Sequence, residues 1–132
     1  MWLEIEGDRV IEGVTEQQLR AAISALRNQG PWSFAILTDE EGNYIQIAGG
    51  DAGCTIERRQ LKPLYHMRAY REDPGDGHKD GDKLKSGAGD IELKHDEWFT
   101  KDEALAVFIA FHERASYPEF VCWRSMNQMF GL

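Results

Sequence analysis

The stretch NYIQIAGGDAGCTIER, residues 43–58, constrains the fold of this chain more than any other part of the sequence. Polar and apolar residues alternate over residues 44–47, glycines then interrupt the pattern, and the alternation resumes over residues 54–59. Alternation with a period of two is typical of strands with one buried face, and clustered glycines are typical of a turn or bulge. The stretch therefore predicts two neighbouring antiparallel strands. Cys54 and Ile56 should share one face of the second strand, and Thr55 and Glu57 the other.

Other runs of strand-forming residues flank this pair. They are residues 2–5 and 9–11, residues 33–38 before a polar turn at 39–43, residues 64–71, residues 91–94 and residues 120–123. Residues 72–90 contain many glycines, aspartates and lysines and few apolar anchors, which is typical of a mobile loop. We expect residues 91–94 to return beside residues 64–71, so that this loop forms the tip of a long hairpin.

Two capping boxes predict the starts of two helices. Thr15 with Gln18 predicts a helix over residues 16–28, which Gly30-Pro31 ends. Thr100 with Glu103 predicts a second helix, and its apolar residues make it the main cover of the core. The predicted fold is α+β: an antiparallel sheet of about five strands with two principal helices packed on one face, in a single domain spanning residues 1–132.

The charge of the chain favours a basic protein as its partner. With 15 basic and 23 acidic side chains the formal net charge is −8, which repels nucleic acid and anionic membranes. Residues 53–72 reverse this balance, with 5 basic against 2 acidic side chains, so the central strands form a basic island. No direct binding of nucleic acid or membrane is expected.

The cysteines and the N-terminal residues favour the cytoplasm. Cys54 and Cys122 have no CxxC spacing, which argues against a disulfide framework or a zinc site and predicts two reduced thiols. The first residues lack the basic segment, apolar run and cleavage site of a secretion signal. No run approaches the ~20 apolar residues that span a bilayer. The sequence leaves the oligomeric state open.

The chain carries no recognisable catalytic or metal-binding motif. An EF-hand register beginning at Asp80 would place Lys85 where glycine is needed and Ile91 where a glutamate must bind calcium. The glycines near residue 50 do not form a phosphate-binding loop. We therefore predict no catalytic residue, no metal and no cofactor. The alternative left open is a small-ligand enzyme or sensor that assembles His66, Cys54 and Glu57 across neighbouring strands in a deep pocket.

Several of these features together resemble an immunity-protein family of bacterial polymorphic toxin systems, the family found beside deaminase-fold toxins. The resemblance rests on the leading strand and capped helix, on YIQIAGG followed by CTIERR, on the apolar second helix and on Trp123-Arg124. It covers most of the chain, and Glu57, Arg58, Trp123 and Arg124 carry its signature. The resemblance implies a protein that binds a cognate toxin and blocks its active site or substrate surface, without catalysis of its own.

The charge argument independently suggests where such a toxin binds. Toxins that act on nucleic acid need basic grooves, and an acidic inhibitor is steered into such a groove by its charge. We expect the contacts to come from acidic and aromatic residues of the turn after residue 38 and of the loop after residue 72. These candidates are Asp39, Glu40, Glu41, Tyr44, Asp73, Asp76, Asp80 and Asp82. A general protein-binding adaptor remains a further alternative.

Overall fold

The computed structural model describes residues 1–87 and 89–127 and has an α+β fold. The two helices are α1 (Glu16–Ser24) and α2 (Lys101–Glu113). The nine strands of the described residues are β1 (Trp2–Ile5), β2 (Ile11–Glu12), β3 (Phe34–Thr38), β4 (Tyr44–Gly50), β5 (Gly53–Leu61), β6 (Leu64–Tyr70), β7 (Lys83–Leu84), β8 (Ile91–Glu92) and β9 (Cys122–Ser125).

The main sheet has seven antiparallel strands in the order β2-β1-β3-β4-β5-β6-β9. The predicted fold class, with two helices and an antiparallel sheet, is confirmed, whereas the predicted number of about five strands is too low. The short strands β2 and β9 extend the sheet at its two edges. Their few residues carry little periodicity, so their pairing depends on neighbours that are distant in sequence.

Both predicted capping boxes form. Thr15 Oγ1 accepts a hydrogen bond from the Gln18 amide at 3.1 Å, and Thr100 Oγ1 accepts one from the Glu103 amide at 3.1 Å. The predicted end of α1 at residue 28 is wrong, because the helix stops at Ser24. Lys101 Nζ donates to the carbonyl oxygen of Ser24 at 2.7 Å, which satisfies a helix-end acceptor from outside the helix.

The helices and the sheet bury one apolar core between them. Leu19 and Ile23 of α1 and Phe108 of α2 meet Ile47 and Ile56 of the central strands, and all five are almost fully buried. Burying each such side chain stabilises the fold by roughly 1.5–3 kcal/mol before entropy is counted. The face of the sheet that carries Leu37, Ile45 and Ile56 is therefore the helix-covered face.

A second layer, which we call the cover segment, consists of residues 72–87 and 89–98 and lies on the opposite face, where it pairs with Arg68 and Arg124. Leu84, Leu93 and Trp98 form an apolar cluster there, packed against the half-buried Ile91. The described residues of 72–90 contribute only Leu84 to this cluster, in keeping with the few apolar anchors expected there, and the buried Leu84 packs that stretch against residues that follow it. The predicted pairing of residues 91–94 with residues 64–71 is wrong, because β8 pairs with β7 in a separate two-stranded sheet.

The cover segment is fastened where two glycines come into close contact. A Cβ atom on Gly87 would lie 2.5 Å from the backbone of Gly30 and 2.9 Å from Ser33 Oγ. The Gly87 amide donates to Ser33 Oγ at 2.9 Å, and Asn28 Nδ2 donates to the Lys85 carbonyl at 3.0 Å.

Across residues 1–87 and 89–127, no helix has the length and hydrophobicity that crossing a membrane would need.

Candidate functional site

The face of the sheet opposite the helices carries two rows of polar side chains. Glu57, Arg68 and Arg124 lie directly across from one another on β5, β6 and β9. In the next row, Tyr44, Arg59 and His66 are partners across β4, β5 and β6. Since cross-strand partners point to the same face, these residues form one array, which we call the polar face.

Most charges of the polar face are paired with one another. Glu57 contacts His66 Nε2 through Oε1 at 2.7 Å and Arg68 Nη2 through Oε2 at 3.0 Å. Arg68 Nη1 also lies 3.5 Å from Glu97, whose side chain is only 4% exposed. The Glu57 carboxylate therefore bridges two neighbouring basic side chains.

Arg124 extends this network to the cover segment. Its guanidinium contacts Asp96 and Glu97, each at 2.9 Å. Hydrogen bonding from Arg124 lowers the pKa of Asp96, and hydrogen bonding to Asp96 raises the pKa of Arg124. Both groups are therefore charged at neutral pH, and their pairing holds the cover segment against β9.

The four signature residues separate onto the two faces of the sheet. Glu57 and Arg124 belong to the polar face, whereas the Arg58 guanidinium carbon lies 4.7 Å from the Trp123 ring centroid on the helix-covered face. Tyr117 stacks on Arg58 as well, with its ring centroid at 5.3 Å. Within the described chain these residues make intramolecular contacts that order the sheet and its two covering layers.

The trio proposed for a small-ligand enzyme is not assembled. Glu57 and His66 are in contact, but Cys54 is buried on the helix-covered face, where its thiol donates to the Phe99 carbonyl at 3.3 Å. Burial raises the pKa of Cys54 to about 12, so the thiolate is scarce at neutral pH. The prediction of a site that joins Cys54 to the other two residues is wrong, because β5 points them to opposite faces.

Two larger cavities flank the cover segment. One, of about 690 Å³, is lined by Arg68, Glu97 and Arg124 of the ionic network together with Asp80 and Met126. The other, of about 510 Å³, lies beside the start of α2. Neither contains the pair formed by Glu57 and His66. The described residues also contain no group of three or more His, Cys, Asp or Glu side chains arranged to hold a metal ion.

The predicted acidic residues of the turn after β3 differ in their surroundings. Asp39 is only 4% exposed and accepts hydrogen bonds from the Glu41 and Asn43 amides at 2.9 and 3.0 Å. Asp39 therefore shapes the turn, and its assignment as a surface contact is wrong. Glu40 is exposed but pairs with the N-terminal ammonium group and with Arg114. Glu41 is exposed, and its side chain has no polar partner among the described residues.

Of the predicted acidic residues of the cover segment, two accept hydrogen bonds within the described chain and two do not. Asp80 accepts from the His95 ring at 2.7 Å, and Asp82 accepts from the Lys79 amide at 2.9 Å. The His95 backbone amide is the main cause of a lowered Asp80 pKa. Asp73 and Asp76 are exposed, and no described residue pairs with either side chain.

The turn after β3 and the start of the cover segment lie at opposite ends of the sheet. The turn after β3 adjoins the end of β5, where the Leu61 amide donates to Asn43 Oδ1 at 2.9 Å. The cover segment instead begins beyond Tyr70, at the far end of β6. A single partner would therefore need to extend along the length of β6, about 20 Å at the usual rise of a strand, to contact both.

The sequence reasoning missed an exposed apolar patch beside the turn after β3. Leu61 and Leu64 are paired across β5 and β6 and are 39% and 37% exposed. They point to the same face as Arg59, two residues along β5 from Leu61, and as the half-buried Tyr44. We call Tyr44, Arg59, Leu61 and Leu64 the open end of the polar face. The alternation along residues 57–61 was the signal that could have identified it.

Comparison with protein-family models, with curated proteins and with solved structures finds no match to this chain.

Proposed function

We propose that this chain is an immunity protein, which binds a cognate toxin and covers its active site or substrate surface. The observation that carries the proposal is the net charge of −8 together with exposed acids that have no partner within residues 1–87 and 89–127. Glu41, Asp73 and Asp76 are such acids. They are available to a basic partner, whereas paired acids would first have to give up their own contacts.

The arrangement of the ionisable groups supports binding rather than catalysis. Glu57, Arg68, Glu97 and Arg124 are engaged in one intramolecular network. Cys54, the other candidate for chemistry in the central strands, is a buried thiol with a raised pKa. A rigid sheet with exposed acids and an apolar patch is suited to occlusion, because binding then orders few additional side chains.

The open end supplies the combination of groups that protein interfaces use. Leu61 and Leu64 offer exposed apolar area, Tyr44 offers an aromatic ring, and Glu40 and Glu41 lie on the adjoining turn. Interfaces combine apolar centres with polar rims in this way. We propose this end as the primary contact and Asp73 and Asp76 as acids that steer the toxin. Neutralisation inside the producing cell implies that the protein acts in the cytoplasm.

Co-expression with the product of the adjoining open reading frame tests this function. The wild-type chain should relieve the growth defect caused by that product and co-purify with it as a stoichiometric complex. Phe108→Asp is the control, because a charge at a fully buried position unfolds the domain and should abolish protection.

Two results would contradict the proposal. One is a lethal neighbouring product that is neither bound nor neutralised by the folded wild-type chain. The other is stable capture of several unrelated proteins with equal affinity, which would favour the adaptor alternative.

A further inference from the structure

Arg59 has no polar partner among the described residues, in contrast to most of the basic side chains around it. Arg68, Arg71 and Arg124 each contact at least one carboxylate, and Arg58 stacks on two aromatic rings. Arg59 is half-buried, its Nε atom is buried without a hydrogen-bond acceptor, and no described residue forms an ion pair with it. Arg58 Nε is likewise buried without an acceptor, but Arg58 Nη2 donates to the Met67 sulfur at 3.4 Å and the guanidinium stacks on its two rings. Among the arginines of the basic island, Arg59 alone has neither an ion pair, a hydrogen bond nor a stacked ring within the described residues.

The neighbouring carboxylate does not neutralise Arg59. Glu57 points to the same face two residues earlier on β5, but its two oxygens contact His66 and Arg68. A buried N–H group such as that of Arg59 Nε is unfavourable without an acceptor, because it has lost water without gaining a replacement hydrogen bond. An incoming carboxylate would supply two acceptors in the geometry that arginine binds best.

The surroundings of Arg59 indicate that such a carboxylate would belong to a protein. Leu61 and Leu64 adjoin it with more than a third of their surface exposed, and Tyr44 is its cross-strand neighbour. Neither of the two larger cavities described above is lined by Arg59. Arginine and tyrosine are both enriched at interface hot spots, and here they are cross-strand neighbours.

We propose that Arg59 binds an aspartate or glutamate side chain of the toxin at the open end of the polar face. The inference rests on the proposed function and deepens it by naming the contact. The exposed acids accelerate encounter with a basic partner, whereas the arginine fixes the register of the complex and slows its dissociation. A mainly acidic inhibitor would thus recognise its toxin through one cation.

The binding test uses the co-purified product of the adjoining open reading frame and the variants Arg59→Ala, Arg59→Lys and Arg59→Glu. Arg59→Ala should raise Kd at least about 30-fold, mostly through faster dissociation, and Arg59→Glu should raise it further. Arg59→Lys should recover only part of the affinity, because lysine keeps the charge and loses the paired hydrogen bonds. Arg20→Ala, an exposed arginine of α1, is the matched control and should leave Kd unchanged.

Replacement of each acidic residue of the toxin by its amide identifies the other half of the contact. One such replacement should show no further loss of affinity when combined with Arg59→Ala, as expected for a directly interacting pair. Arg59→Met of the isolated chain gives a readout that needs no toxin. It should leave the denaturant midpoint unchanged or raise it, since the free protein has no partner for this guanidinium.

The outcomes separate the two proposals. Failure of the wild-type chain to bind the neighbouring product would overturn both. Tight binding by the wild type with equally tight binding by Arg59→Ala and Arg59→Glu would overturn the role of Arg59 alone. A strongly destabilised Arg59→Met would also overturn it, because the arginine would then have an internal role.

Discussion

At the scale of single residues, Glu57 is the centre of the polar face. Its carboxylate is 18% exposed and bridges His66 and Arg68. Removing the charge would leave Arg68 with two longer contacts, to Glu97 at 3.5 Å and to the Glu92 carbonyl at 3.4 Å. Loss of one member of a buried ionic network is costly because the remaining charge stays desolvated. Glu57 is therefore better explained as a structural residue than as a general base.

Glu57→Gln should lower the free energy of unfolding by roughly 2–4 kcal/mol, somewhat less than for a fully buried pair because the carboxylate keeps some contact with water. The measurement is chemical denaturation followed by circular dichroism. Glu41→Gln is the matched control, since this exposed glutamate has no internal partner, and it should change stability by no more than about 0.5 kcal/mol. Equal stability of the two variants would show that the bridge is not stabilising.

At the scale of elements, local signals were predictable and long-range pairings were not. The capping boxes at Thr15 and Thr100 placed both helix starts, because each depends on residues within one turn. The pairing of Tyr70 with Cys122 joins residues far apart in sequence, and nothing within either strand encodes it. The contact at the end of α1 is also long-range, because Lys101, at the start of a distant helix, donates to the Ser24 carbonyl.

In the candidate site too, local features could be predicted from the sequence and contacts between strands could not. The alternation predicted that Glu57 and Cys54 point to opposite faces of the strand, which already argued against a shared pocket. It could not show that His66 and Arg68 would contact both oxygens of the Glu57 carboxylate. Asp39 was misassigned although its signal was local, since an aspartate that begins a glycine-containing turn commonly accepts backbone hydrogen bonds. The unsatisfied state of Arg59 depends on every neighbouring strand and was beyond sequence reasoning.

The cover segment depends on the close approach of two glycines, which gives a prediction at the scale of elements. Gly87→Ala should destabilise the protein by about 1–3 kcal/mol, because the new methyl group would overlap the Gly30 backbone. Hydrogen exchange should increase mainly in residues 78–99. Gly77→Ala is the control, since its Cβ would meet nothing within 4 Å. Unchanged exchange in Gly87→Ala would show that the segment is held by its apolar cluster alone.

At the scale of the whole molecule, charge and fold have separate roles in the proposed function. The ionic network and the core fix the shape of the sheet, and their charges are largely compensated within the chain. The long-range field comes instead from exposed acids such as Glu41, Asp73 and Asp76, which no cation of the described part of the chain neutralises. Such a field changes association rates more than dissociation rates.

The triple variant Glu41→Gln, Asp73→Asn, Asp76→Asn should therefore bind the neighbouring toxin with a smaller association rate constant and nearly the same dissociation rate constant. Raising the salt concentration from about 50 to about 500 mM should slow wild-type association about tenfold or more and affect the triple variant less, because screening removes the same long-range attraction.

The control for net charge is a variant that loses the same number of charges on another part of the molecule. It neutralises Glu16 of α1, Glu113 of α2 and Glu119, which follows α2. Because charges act most strongly on a partner that approaches their own side of the molecule, the control should slow association less than the triple variant does. Equal slowing by both variants would mean that only total charge matters, and salt-independent association of the wild type would remove electrostatic steering from the mechanism.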